Sequence, residues 1–80
     1  MAVRLSPREK EAVILAARGM TAKQISLSMG ISEQTVKNTW GNARYKYDAP
    51  NITALVARCV LDGTIKFRDL AEVVSGKLSL

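Results

Sequence analysis

The chain has no histidine among its 80 residues and one cysteine, Cys59. A lone thiol cannot close an internal disulfide. Without imidazole, the usual zinc ligand sets and the Ser-His and Cys-His nucleophile pairs are missing. No metal, no cofactor and no enzymatic cluster of acid, base and nucleophile is therefore expected. Acids are scarce where bases are not: residues 1–47 hold eight Lys/Arg against three Asp/Glu, whereas residues 48–80 hold four against four. The whole net charge of +5 thus lies in the first part, a localised excess that suits a polyanion such as nucleic acid. No apolar run is long enough to span a bilayer, and Arg4, Arg8, Glu9, Lys10 and Glu11 break up any leader. These absences point to one small domain in a reducing cytoplasm, with no membrane partner.

Prolines are few as well. Pro7 and Pro50 both stand at segment edges, and between them the chain reads as helices. Ser6-Pro7-Arg8-Glu9 combines an N-cap, a proline at the first helical position and a capping box, so a helix is expected over about 7–18, stopped by Gly19. Thr21-Ala22-Lys23-Gln24 is a second capping box, opening a short helix over 22–29 that Gly30 ends. Ser32 caps a third helix, 33–47, only two residues later, and Asp48-Ala49-Pro50 breaks it. Two helices joined by a tight glycine turn are the grammar of a helix-turn-helix unit. Asn51 caps a fourth helix, about 52–62, and a fifth is predicted over 67–75. The Asn51-Ile52-Thr53 glycosylation pattern reads as this cap and nothing more. The fold class is all-α, with residues 1–65 as the domain and 66–80 as a helical extension.

At ~100° per residue, Val36, Trp40, Ala43 and Tyr47 share one narrow stripe of the third helix, its core face. Gln34, Asn38, Gly41 and Tyr45 lie opposite. Lys37 and Arg44 flank that row on one edge, with Thr35, Asn42 and Lys46 on the other. From 34 to 47 there is no acid, so this face lacks the mixed-sign pairs that steady exposed helices. Amides can read adenine edges and lysine can read guanine, while Gly41 leaves a bare spot for close approach. The pattern fits docking of the helix in a major groove of double-stranded DNA. The N-terminus of the second helix, Thr21 to Lys23, is placed to meet a phosphate.

The run LSPREKEAVILAARGMTAKQISLSMGISEQTVKN, with NARYKYDAPNITALVARCVLDGTI after it, resembles the LuxR/GerE-type helix-turn-helix domain over about residues 5–65. The resemblance implies four helices, the second and third forming the helix-turn-helix and the fourth mediating dimers on DNA. Carried over by position, it puts Lys37, Asn38 and Gly41 where bases are contacted; Gln34 joins them from the helix wheel. It puts Thr21, Lys23, Thr35 and Lys46 where phosphates are gripped; Asn42, Arg44 and Tyr45 join them from the helix wheel. Three departures stand out: Thr39 where histidine is frequent, Gly41 where a basic or polar residue is common, and Asn51-Ile52-Thr53 in place of Asn-Arg-Thr.

The fourth helix carries two apolar faces. Ile52, Leu55, Val56, Cys59 and Val60 form a helical stripe, and Ala54, Ala57 and Leu61 a second, smaller one. One serves the core and the other is open to a twin; Ile52, Leu55, Val56 and Cys59 are taken as the dimer interface. The alternative is burial of both by the segment from Phe67 to Val74. Cys59 itself fits inert core better than a redox switch. The expected function is a sequence-specific transcription regulator, a homodimer on an inverted repeat. Eighty residues leave no room for a sensing domain, so if the chain is complete, control is expected from abundance or a regulatory protein partner. The competing reading is a protein-interaction module on the same fold that inhibits another regulator through the surroundings of Trp40 or the tail.

Overall fold

The computed structural model describes residues 3–70. Four helices follow in order, α1 (Pro7–Ala17), α2 (Ala22–Met29), α3 (Glu33–Tyr47) and α4 (Ile52–Leu61), and no strand occurs among the described residues. A further helical stretch occupies 67–70; the rest of the fifth helix predicted to residue 75 lies outside the described residues.

Local chemistry sets each helix start. Ser6 and Glu9 form a reciprocal box, with the Ser6 N–H donating to Glu9 Oε1 at 2.8 Å and the Glu9 N–H to Ser6 Oγ at 3.1 Å. Thr21 and Gln24 repeat the pattern at 2.9 and 3.1 Å. Ser32 accepts from the Thr35 N–H, and Asn51 from the Ala54 N–H. Such caps satisfy donors that no helical carbonyl can reach, each worth about 1 kcal/mol. The ends of α1 and α4 fall one residue short of the expected ones, while those of α2 and α3 match. Arg18 is the C-cap of α1, ahead of Gly19 at φ 89°. Asp62 leaves α4 because its carboxylate is used elsewhere: Oδ1 accepts from the Thr64 N–H and Oδ2 from the Tyr47 hydroxyl.

α1 and α2 pack on each other and on α3, and α4 packs on α1 and α3. The core gathers Leu5, Val13, Ala43, Tyr47, Leu55, Cys59 and Ile65, with Trp40, Ile52 and Val56 partly buried against it. Ile25 and Val36 are fully buried between α2 and the start of α3. The expected core stripe of α3 is thus the buried one, and Trp40 donates its Nε1–H to the Ala12 carbonyl at 3.0 Å. Burial of this kind contributes roughly 1.5–3 kcal/mol per large apolar side chain.

The chain after α4 is tied into this core. Ile65 is 1% exposed. The Tyr47 hydroxyl lies 2.7 Å from both Asp62 Oδ2 and Thr64 Oγ1. Arg18 donates twice to the Asp69 carbonyl, at 2.9 and 2.8 Å, which fastens residues 67–70 to the end of α1.

Candidate nucleic-acid interface

Two short helices joined through Gly30 fix the site. Gly30 caps α2 in the left-handed region (φ 69°), a conformation that residues with a Cβ resist. Ile25 and Val36 then lock α2 to α3, and the polar side of α3 is left facing out. Gln34, Thr35, Lys37, Asn38, Asn42, Tyr45 and Lys46 are all exposed, Tyr45 to 89%. Gly41 and Arg44 are half-buried. Thr21 and Lys23 are exposed at the start of α2, where Thr21 Oγ1 is engaged as the cap. Of the residues read as DNA contacts from the sequence, all but Gly41 and Arg44 are thus exposed.

Their side chains are not idle. Gln34 Nε2 donates to Asn38 Oδ1 at 3.0 Å, which ties the two amides together. The face is also less free of acid partners than its own sequence suggests. Lys37 Nζ lies 3.8 Å from Glu33 Oε2, an i,i+4 pair across the first turn of α3. Lys46 Nζ lies 2.7 Å from Glu9 Oε1 and 3.5 Å from the Arg4 carbonyl. The expectation that mixed-sign pairs are absent is corrected here: the acids come from the first residue of α3 and from α1. Glu33 was legible four residues before Lys37, whereas Glu9 and Lys46 are too far apart in sequence for any local rule. Burial pushes the Glu9 carboxyl up, but hydrogen bonds from Lys46 and Ser6 outweigh it and leave the pKa below the ordinary 4.5. Arg44 turns back to the Pro50 carbonyl at 3.3 Å.

The far end of α3 is braced by groups that the sequence did not single out. Arg58 donates to the Tyr47 carbonyl at 2.8 Å and also to the Asp48 carbonyl. Burial, then the hydrogen bond to Asp62, raises the Tyr47 pKa well above 10, so this hydroxyl stays protonated and donates. Asp62 is held below 3.8: burial alone raises it, but hydrogen bonds from Tyr47 and Thr64 prevail.

On α4 two of the four residues expected at the interface are corrected. Leu55 and Cys59 are 0% exposed within the single chain, so neither can touch a second copy. Burial raises the Cys59 thiol, as for a core residue. Ile52 and Val56 are half-buried and line an open apolar groove of about 270 Å³ with Ala16, Ala17, Met20, Trp40 and Thr53. The solvent side of α4 is instead Thr53, Ala57, Val60 and Leu61, at i, i+4, i+7 and i+8.

No His/Cys/Asp/Glu group of three or more comes together among the described residues, and none of their helices is long and apolar enough to cross a membrane. A helix pair bent at glycine, with a buried back and an exposed amide-and-cation front, defines the helix-turn-helix class. Residues 3–59 match the GerE domain, described as "Bacterial regulatory proteins, luxR family". The chain belongs to this LuxR family of bacterial regulatory proteins, a family of helix-turn-helix transcription regulators. Among similar proteins is the HTH-type quorum sensing-dependent transcriptional regulator RpaR of Rhodopseudomonas palustris, 46% identical over 63 residues, 79% of this chain and 26% of that protein. The transcriptional activator protein CarR of Pectobacterium carotovorum is 47% identical over 47 residues, 59% of this chain and 19% of that protein. The chain thus spans about a quarter or less of the length of these curated relatives.

Proposed function

We propose that the chain is a sequence-specific DNA-binding transcription regulator that inserts α3 into the major groove of duplex DNA. The observation that carries this reading is the exposed row of Gln34, Lys37 and Asn38 on a helix whose opposite side is locked into the core. Amides suit adenine edges and a lysine suits guanine, each good contact being worth about 1–3 kcal/mol of discrimination. Thr21, Lys23, Thr35, Asn42, Arg44 and Tyr45 surround that row and grip phosphates. Lys46 serves them only by exchanging Glu9 for the DNA.

One recognition helix reads few bases, so useful specificity calls for two copies. The exposed stripe Thr53, Ala57, Val60 and Leu61 supports a two-fold contact along α4, which sets two half-sites about 10 base pairs, or a multiple of that, apart on an inverted repeat. The test is selection from random duplex DNA at two salt concentrations. A single enriched inverted repeat, with affinity falling steeply as salt rises, is the expected result. A protein-binding module using the apolar groove beside Trp40 enriches no sequence and shows no such slope, and that result refutes the reading.

A further inference from the structure

Gly41 lies in the middle of α3 and has no intramolecular reason to be glycine. Among the described residues the other glycines, Gly19, Gly30 and Gly63, all turn the chain through positive φ; Gly41 does not. A methyl group built at its Cα meets nothing within 4 Å. Conformation and packing both leave the position open to alanine, which a helix interior prefers several-fold in helix population. The bare spot is on the front of the helix, between Asn38 one turn before and Tyr45 one turn after. Gly41 and Tyr45 line the same open groove, of about 390 Å³, together with Arg44, Asp48, Ala49 and Pro50.

What such a spot accepts follows from its chemistry. Gly41 itself offers no side-chain donor or acceptor, an interior helical backbone spends its N–H and C=O within the helix, and the neighbouring Arg44 turns back to the Pro50 carbonyl. Its complement is an apolar group. On the major-groove edge of an ordinary base pair there is one, the C5-methyl of thymine. Resting on the reading of α3 as the helix that enters the major groove, we propose that Gly41 is a specificity-determining position that seats the C5-methyl of a pyrimidine, supplied in unmodified DNA by thymine. The methyl sits on the Gly41 backbone with the Tyr45 ring as one wall, while the Asn38 amide, held by Gln34, reads an adenine beside it.

The test uses the duplex recovered by selection, with each thymine replaced in turn by uracil, and in a second arm each cytosine by 5-methylcytosine. One thymine is expected to lose about fourfold in affinity as uracil, the equivalent of one buried methyl. In the Gly41→Ala variant that fourfold ratio is expected to vanish, with the thymine duplex bound no better than the uracil one. The variant is expected to melt no lower than the parent, which excludes misfolding. Uracil neutral at every thymine, or a selected site without thymine, overturns the proposal. So does a thymine-to-uracil ratio that Gly41→Ala leaves intact, which moves the close approach to the sugar-phosphate backbone. A gain confined to 5-methylcytosine overturns thymine as the source. Failure to enrich any sequence is different in kind, since it refutes DNA reading itself.

Discussion

Tyr47 links α3 to the chain that follows it. It closes the core stripe of α3, and its hydroxyl donates to Asp62, which in turn accepts the Thr64 N–H. Asp62 and Glu9 are both held below their ordinary values of 3.8 and 4.5. A carboxylate depressed in the folded state adds stability above its unfolded pKa and loses it as pH falls through the folded one. The fold is therefore expected to weaken in acid, below about pH 4. Tyr47→Phe removes one buried hydroxyl and its two contacts, so melting at neutral pH should drop by an amount equivalent to about 1–2 kcal/mol. It also frees Asp62 toward its ordinary pKa, so the loss of melting temperature with acid should become shallower than in the parent. An unchanged acid slope in the variant would mean that Asp62 owes its depressed pKa to other groups. At this scale the sequence is unevenly legible. Tyr47 was legible as core because it shares the angular position of Val36 and Ala43, but its hydroxyl partners are brought by the turn after α4, which no helical period describes.

At the scale of elements, the helix starts were legible because capping is local: each of Ser6, Thr21, Ser32 and Asn51 accepts from the backbone three residues on. The buried face of α3 was legible because its other side is polar. α4 offered no such contrast. Ile52, Leu55, Val56, Cys59, Val60 and Leu61 spread apolar groups around most of its circumference, so its own sequence could not choose a core side. The neighbours chose it: α1 and α3 close over Leu55 and Cys59, and Leu61 is left 85% exposed. This division predicts opposite outcomes for two substitutions on one helix. Leu55→Asp places an uncompensated charge in the core and should unfold the domain, at a cost of several kcal/mol. Leu61→Asp should leave the melting temperature within a few degrees, because exposed positions away from such features change stability by only about 0.5 kcal/mol. It should nevertheless abolish dimers in sedimentation if the α4 stripe is the two-fold contact. A folded Leu61→Asp protein that still sediments as a dimer on or off DNA removes that stripe from the interface.

The whole molecule divides its labour by charge and by side. The net charge of +5 comes from residues 1–47, which build α1 to α3, while the neutral remainder supplies α4 and the segment that Arg18 fastens to α1. That asymmetry was legible by counting. Its partial cancellation was not, because Glu9 reaches Lys46 from a different helix, and only the assembled fold brings them to 2.7 Å. If the front of α3 reads bases while the start of α2 holds phosphate, then substitutions on the two helices must fail in different ways. The decisive comparison is binding of Asn38→Ala and Lys23→Ala to the selected duplex and to a scrambled one across a salt series. Asn38→Ala should lose about 1–3 kcal/mol of discrimination with its salt slope unchanged. Lys23→Ala should weaken both duplexes alike and lower the slope by about one. Equal loss on both duplexes for Asn38→Ala, with both variants folded, would contradict base reading by α3.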